Sequence, residues 1–162
     1  MNATEVFEAI RAFGEHEHRD LARGLDRIHA AGCALGTRLK VDDARAIRDV
    51  LRWSDATLQP HVDWEESWLY PQIDGLTGTT WATRAARFDH AQISGMANRL
   101  RRDEELAADG LTSTSLDEVR CHLFAYEALL RTHIDREERL LLPVLADAAA
   151  LGAPRPDRAL AT

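Results

Sequence analysis

Apolar residues recur at helical spacing along nearly the whole chain, and no stretch keeps the two-residue alternation of a half-buried strand. Ala and Leu dominate, and Gly and Pro are sparse. The pattern predicts an all-α protein of four long segments. The first runs from about Asn2 to Ala31, with Asn2 or Thr4 as cap, Gly32 as stop, and Phe7, Leu21, Leu25 and Ile28 on its apolar face. The second starts near Asp42 and ends before Pro71, with a kink expected at Pro60. A loop is expected over Asp74–Thr80. The third segment spans about Trp81 to Ala108. The fourth opens on Ser115-Leu116-Asp117-Glu118, a capping-box pattern, and continues to about Ala149. Short connections favour antiparallel neighbours, hence an up-down-up-down antiparallel four-helix bundle over residues 1–150. Residues 151–162, with Pro154 and Pro156, are expected to be a disordered C-terminal tail.

Self-similarity adds to this picture. His61-Val62-Asp63-Trp64-Glu65-Glu66, followed by Leu69 and Pro71, returns 72 residues later as His133-Ile134-Asp135-Arg136-Glu137-Glu138, followed by Leu141 and Pro143. The same offset carries His18 onto His90, Leu21 onto Ile93, Arg27 onto Arg99 and Ile28 onto Leu100. The chain therefore reads as two repeated helical hairpins. Each offers one His on its first helix and His-x-x-x-Glu on its second, with 43 residues between the two histidines in both copies.

Residues four apart share one helix face, with Cβ atoms ~5–6 Å apart, so an imidazole and a carboxylate so placed can reach one metal ion or lie between two. Pseudo-twofold packing of two hairpins would gather His18, His61, Glu65, His90, His133 and Glu137 at one level of the bundle. Four His and two Glu are too many donors for one ion and suit two. Imidazole and carboxylate without thiolate fit iron, with manganese or zinc as competitors. Glu66 and Glu138 lie ~100° round the helix from their neighbours and are expected to be solvated or salt-bridged. His16 is expected at the surface.

This pattern, with the followers Leu69-Tyr70-Pro71 and Leu141-Leu142-Pro143, resembles the hemerythrin-like, HHE cation-binding family over about Phe7 to Ala146. The resemblance implies a four-helix bundle around two iron ions joined by an oxo or hydroxo group. It implies that Glu65 and Glu137 bridge them, with His18 and His61 on one iron and His90 and His133 on the other. Invertebrate hemerythrins, as a family, add a fifth His one turn after the third-helix His and use an Asp as second bridge. Here those positions hold Ser94 and Glu137. The missing ligand leaves open metal positions, which suit O2, NO or peroxide binding, or iron handling, rather than reversible oxygen carriage.

Tyr126, seven residues before His133 and ~20° off its face, is a candidate extra ligand or hydrogen-bonding neighbour of the site. His29 and His122 each stand eleven residues from a ligand candidate, at one level in an antiparallel arrangement. They are expected as two end-of-bundle histidines in water; the alternative is a polar pair on a route to the site or at a second weak metal site. Cys33 and Cys121 fall toward the same end. They make neither a disulfide framework nor a zinc ribbon.

Charge narrows the function classes. With 20 Lys and Arg against 27 Asp and Glu, the net charge is −7, and Lys40 is the only lysine. No basic field is present for nucleic acid or anionic membrane. No apolar run reaches the ~20 residues of a membrane span, and the N-terminus lacks a signal-peptide pattern. The expectation is a cytoplasmic protein whose partners are small ligands (O2, NO, peroxide), with no nucleic acid and no membrane. A sensor role would require a protein partner. Decomposition of hydrogen peroxide at the di-iron site, and a structural bundle with a stabilising metal, are the competing functions.

Overall fold

The computed structural model describes residues 3–37 and 40–150, with side chains over 17–37, 42–145 and 147. The expected tail, and the Phe7 and His16 side chains, lie outside the described residues. Among these residues there are no strands. Four long helices are present, consistent with a four-helix bundle: α1 (Ala3–Ala34), α2 (40–77), α3 (Trp81–Asp109) and α4 (113–150). Helix α1 packs on α2 and α4, and α3 packs on the same two. No helix among the described residues is long and apolar enough to cross a membrane.

Each connection carries a glycine with positive φ: Gly36 at 76°, Gly78 at 68° and Gly110 at 97°. That region costs an L side chain most, so glycine is where a helix can reverse. Gly32, expected to stop the first helix, lies inside it and packs close to Phe124; Gly36 makes the turn, its N–H bonded to Asp43 at 3.1 Å. Helix α4 starts one turn earlier than expected. Thr112 is the cap, and its box partner is Ser115, not Glu118. The expected loop over Asp74–Thr80 shrinks to its last three residues, because α2 runs through Pro71 to Thr77.

The prolines act differently from a simple kink. Three π-helical turns interrupt the α-helices, at Ser54–Leu58, Glu65–Leu69 and Glu137–Leu141. Each ends two residues before a proline: Pro60, Pro71 and Pro143. Proline has no N–H to give, and its ring crowds the carbonyl four residues back. One extra residue in the preceding turn widens the helix there, so the chain continues instead of breaking. The second and third π-turns start at Glu65 and Glu137.

The core is divided in two. One buried cluster contains Leu21, Leu25, Ile28, Leu58, Ile93, Leu100, Leu123 and Leu130. The other contains Leu69, Tyr70, Ile73, Ala86, Leu141 and Leu145. Burying each such Leu or Ile stabilises by ~1.5–3 kcal/mol relative to exposure. Along α2 the order is Leu58, His61, Glu65, Leu69; along α4 it is Leu130, His133, Glu137, Leu141. A buried polar layer thus separates two apolar plugs.

Candidate metal centre

All six residues singled out from the repeat meet in that layer. His18, His61, His90 and His133 are buried, as are Glu65 and Glu137, each carboxylate only 1% exposed. The four Nε2 atoms face inward. His61 Nε2 lies 2.7 Å from Glu65 Oε1, and His90 Nε2 lies 3.1 Å from Glu65 Oε2. His133 Nε2 is 3.7 Å from both carboxylates, and His18 Nε2 is 3.5 Å from Glu137 Oε2. His90 and His133 bring their Nε2 atoms to 3.1 Å of each other.

These donors form two overlapping groups that could each hold a metal ion. One is His18, His61, Glu65 and Glu137; the other is Glu65, His90 and His133. Within each, the donor atoms lie within 4.8 Å of one another, and Glu65 belongs to both. The donor set fits a cation on a second count. His61 Nε2, Glu65 Oε1 and Glu137 Oε2 are buried without a hydrogen-bond partner, although Nε2 and Oε1 are in contact. Two ligands ~2.1 Å from one ion at right angles would themselves be ~3.0 Å apart, close to several of these separations.

Electrostatics point the same way. Burial opposes ionisation of Glu65, yet the imidazoles of His133, His61 and His90 that face it hold its carboxyl well below the usual range. Burial pushes the Glu137 carboxyl up, and the charge of Glu65 adds to that against His18 and His133. Two buried carboxyls this close share their titration, and a cation between them would relieve it. Burial works against protonation of His18 and His90, but the surrounding glutamates prevail and raise both.

The outer nitrogens also face acids. His90 Nδ1 meets Glu66 at 2.8 Å and His18 Nδ1 meets Glu138 at 3.1 Å. The two glutamates expected to be merely solvated or salt-bridged therefore reach across to an imidazole of a neighbouring helix; Glu66 also pairs with Arg87.

The tyrosine at the centre is Tyr70, which the helical count overlooks. It is fully buried and donates its hydroxyl hydrogen bond to Glu137 Oε1, with His90 Nε2 3.3 Å away. Burial and the charges of Glu137 and Glu65 push its phenol far up, so it stays protonated. On an unbroken α-helix Tyr70 would stand ~140° round from Glu65. The π-turn between them takes up the extra residue, bonding Tyr70 N–H to the Glu65 carbonyl. Pro71 is the signal that could have located it.

Tyr126 is not brought to the centre. It lies within the larger apolar cluster, its hydroxyl 2.6 Å from Ser54 Oγ, and burial raises its phenol to about 12. Seven residues keep the helix face but add ~10.5 Å along the axis. Ser94 is exposed and adds no donor. His29 and His122 do not pair: His29 bonds Glu127 at 2.9 Å and His122 bonds Asp103 at 2.7 Å. Cys33 and Cys121 are free and exposed.

No curated protein and no solved structure matches the chain significantly. The family model of the hemerythrin HHE cation-binding domain matches residues 10–145, a span that holds most of each of the four helices and every one of the six buried donors. With that match over most of its length, the chain belongs to the hemerythrin HHE cation-binding domain family.

Proposed function

We propose that this chain is a non-haem di-iron protein that binds or responds to O2, NO or peroxide, or handles iron. The observation that carries the reading is the sharing of Glu65 by two buried donor groups, with Glu137 in reach of both His18 and His133. His18 and His61 would hold one ion and His90 and His133 the other, with Glu65 and Glu137 between them. Iron bound there would supply redox equivalents and open positions for a small ligand. The chain's own groups do the rest. Tyr70 holds Glu137 by its hydroxyl hydrogen bond, and the two apolar clusters limit water on either side of the polar layer.

The same proposal includes the architecture. Residues 1–150 form one up-down-up-down antiparallel bundle of two repeated hairpins. Two features support this. His18 meets Glu138, His29 meets Glu127, and Gly32 meets Phe124, so contacts run forward on α1 and backward on α4. The order of the two apolar clusters along α2 also reverses along α3 and reverses again along α4. Two exposed free thiols favour a reducing compartment, in keeping with a cytoplasmic protein.

The test is metal analysis with spectroscopy. Reconstituted protein should hold two irons per chain and gain visible absorption on exposure to air. His61→Ala and Glu137→Ala should each lose metal; full loading in either variant would refute the ligand set. Peroxide is then added. A stable, reversible spectral change supports a binder, whereas rapid O2 evolution supports a peroxide-decomposing enzyme. A colourless zinc protein would support a structural bundle.

A further inference from the structure

The repeat that aligns the inner donors also aligns the acids behind them. At the offset of 72, Glu66 corresponds to Glu138 and Glu17 to Asp89. Glu66 lies behind His90 and Glu138 behind His18, at 2.8 and 3.1 Å from Nδ1. Glu17 lies 3.4 Å from His61 Nδ1, and Asp89 lies 3.9 Å from His133 Nδ1, close to these rings but not hydrogen-bonded to them. A carboxylate at the outer nitrogen resists rotation of the ring and keeps Nε2 turned inward.

The two copies differ in what holds these acids. Arg87 pairs with Glu66 and reaches Asp74 at 3.2 Å, and Arg136 pairs with Asp89. One repeat earlier, Arg87 corresponds to Glu15 and Arg136 to Trp64, so neither aligned position carries a cation in the first copy. Exposure follows this difference: the Glu138 side chain is 52% exposed against 34% for Glu66, and Glu17 is 32% exposed against 12% for Asp89. A cleft of about 620 Å³ between α1 and α4, lined by His18, Arg19, Arg131, Asp135 and Glu138 among others, reaches the half whose acids are more exposed.

We propose that the two metal positions are kinetically unequal. The position at His18 and His61 is where a divalent metal ion enters and leaves, through the α1–α4 cleft. The position at His90 and His133 retains its ion, because Arg87 locks Glu66, which holds the His90 ring, and Arg136 locks Asp89 beside the His133 ring. This rests on the dinuclear reading above. Glu138 and Glu66 are positioning residues, acting on the ion through the imidazoles they bond. To let an ion go, an imidazole must turn, and the acid behind it must follow or release it. An exposed glutamate can swing into water. An acid held by a guanidinium through charge-assisted hydrogen bonds cannot do so without breaking them.

The experiment is chelator-driven release from the full chain, loaded anaerobically with ferrous iron and mixed with excess ferrous chelator. Two phases of equal amplitude, one ion each, are expected, with rates about tenfold or more apart, the scale on which orienting acids alter metal affinity. Arg87→Ala and Arg136→Ala should speed the slow phase and leave the fast one. Glu138→Ala, a half-exposed position tolerant of substitution, should speed the fast phase alone. Two irons released in a single phase would overturn the proposal while leaving the dinuclear reading intact. So would arginine variants that act only on the fast phase, or Glu138→Ala acting on the slow one. Fewer than two irons bound per chain would overturn the dinuclear reading and the proposal with it. The wild-type trace decides between one phase and two even if an arginine variant does not fold.

Discussion

Tyr70→Phe isolates one buried hydrogen bond at the centre. The ring is fully buried, stacks on His90 at 5.5 Å and lies under the Arg87 guanidinium at 5.1 Å. Phenylalanine keeps all of this and opens no cavity. What is lost is the hydroxyl donor to Glu137, whose other oxygen, Oε2, already has no hydrogen-bond partner. A hydrogen bond to a charged group contributes ~1.5–3 kcal/mol. Metal-free protein should therefore lose about 2 kcal/mol, seen as a lower denaturant midpoint at unchanged m-value. For a chain of this size that corresponds to ~4–8 °C in Tm. The pH dependence gives a second check. Burial raises the Glu137 carboxyl, so its ionisation costs stability as pH rises through that raised value. The tyrosine offsets part of that cost, so the variant's deficit should be full at pH 8 and shrink in acid, where the protonated carboxyl supplies its own proton. Bound metal would compensate the same charge and should reduce the deficit. Metal-free Tyr70→Phe protein within ~0.5 kcal/mol of wild type at pH 8 would refute the assigned hydrogen bond.

Three other substitutions test separate parts of the fold. Gly24→Ala would place a Cβ 1.9–2.0 Å from atoms of the buried Trp53 indole. It should destabilise by ~1–3 kcal/mol in denaturant unfolding, despite the helix preference for alanine; a gain in stability would show that the indole has room to move. Burial opposes ionisation of Glu127, but hydrogen bonds from Arg131 at 2.7 Å and His29 at 2.9 Å prevail and hold its carboxyl below the ordinary value. Its contribution, up to about 1 kcal/mol, is full above the unfolded pKa and lost as pH falls through the folded one. The stability gap between wild type and Glu127→Gln should thus narrow from pH 6 to pH 3, and a constant gap would refute the pairing. Tyr126→Phe should cost about 1 kcal/mol through loss of the Ser54 hydrogen bond, with iron content and visible spectrum unchanged. A changed spectrum would return that hydroxyl to the metal centre.

The six buried donors were legible in the sequence because their spacing repeats and each depends only on helix periodicity within its own segment. Their neighbours depend on two things that periodicity does not carry. One is level along the axis: Tyr126 shares a face with His133 but sits two turns away, among leucines. The other is the phase of the helix itself. Counting at ~100° per residue sets Tyr70 well away from Glu65, and it fails because a π-turn stands between them. Three prolines follow these turns; in the sequence Pro60 reads as a kink and Pro71 as an end, and whether the chain instead continues depends on whether the rest of the bundle can hold the widened turn. Contacts between helices are harder still. Glu66 and Glu138 lie off the inward face of their own helices, and only the placement of α3 and α1 beside them makes them partners of His90 and His18. The inner donors recur in the sequence at an offset of 72, which is what makes them recognisable; Arg87 and Arg136 do not recur, since Glu15 and Trp64 stand at the corresponding positions, so nothing periodic marks them.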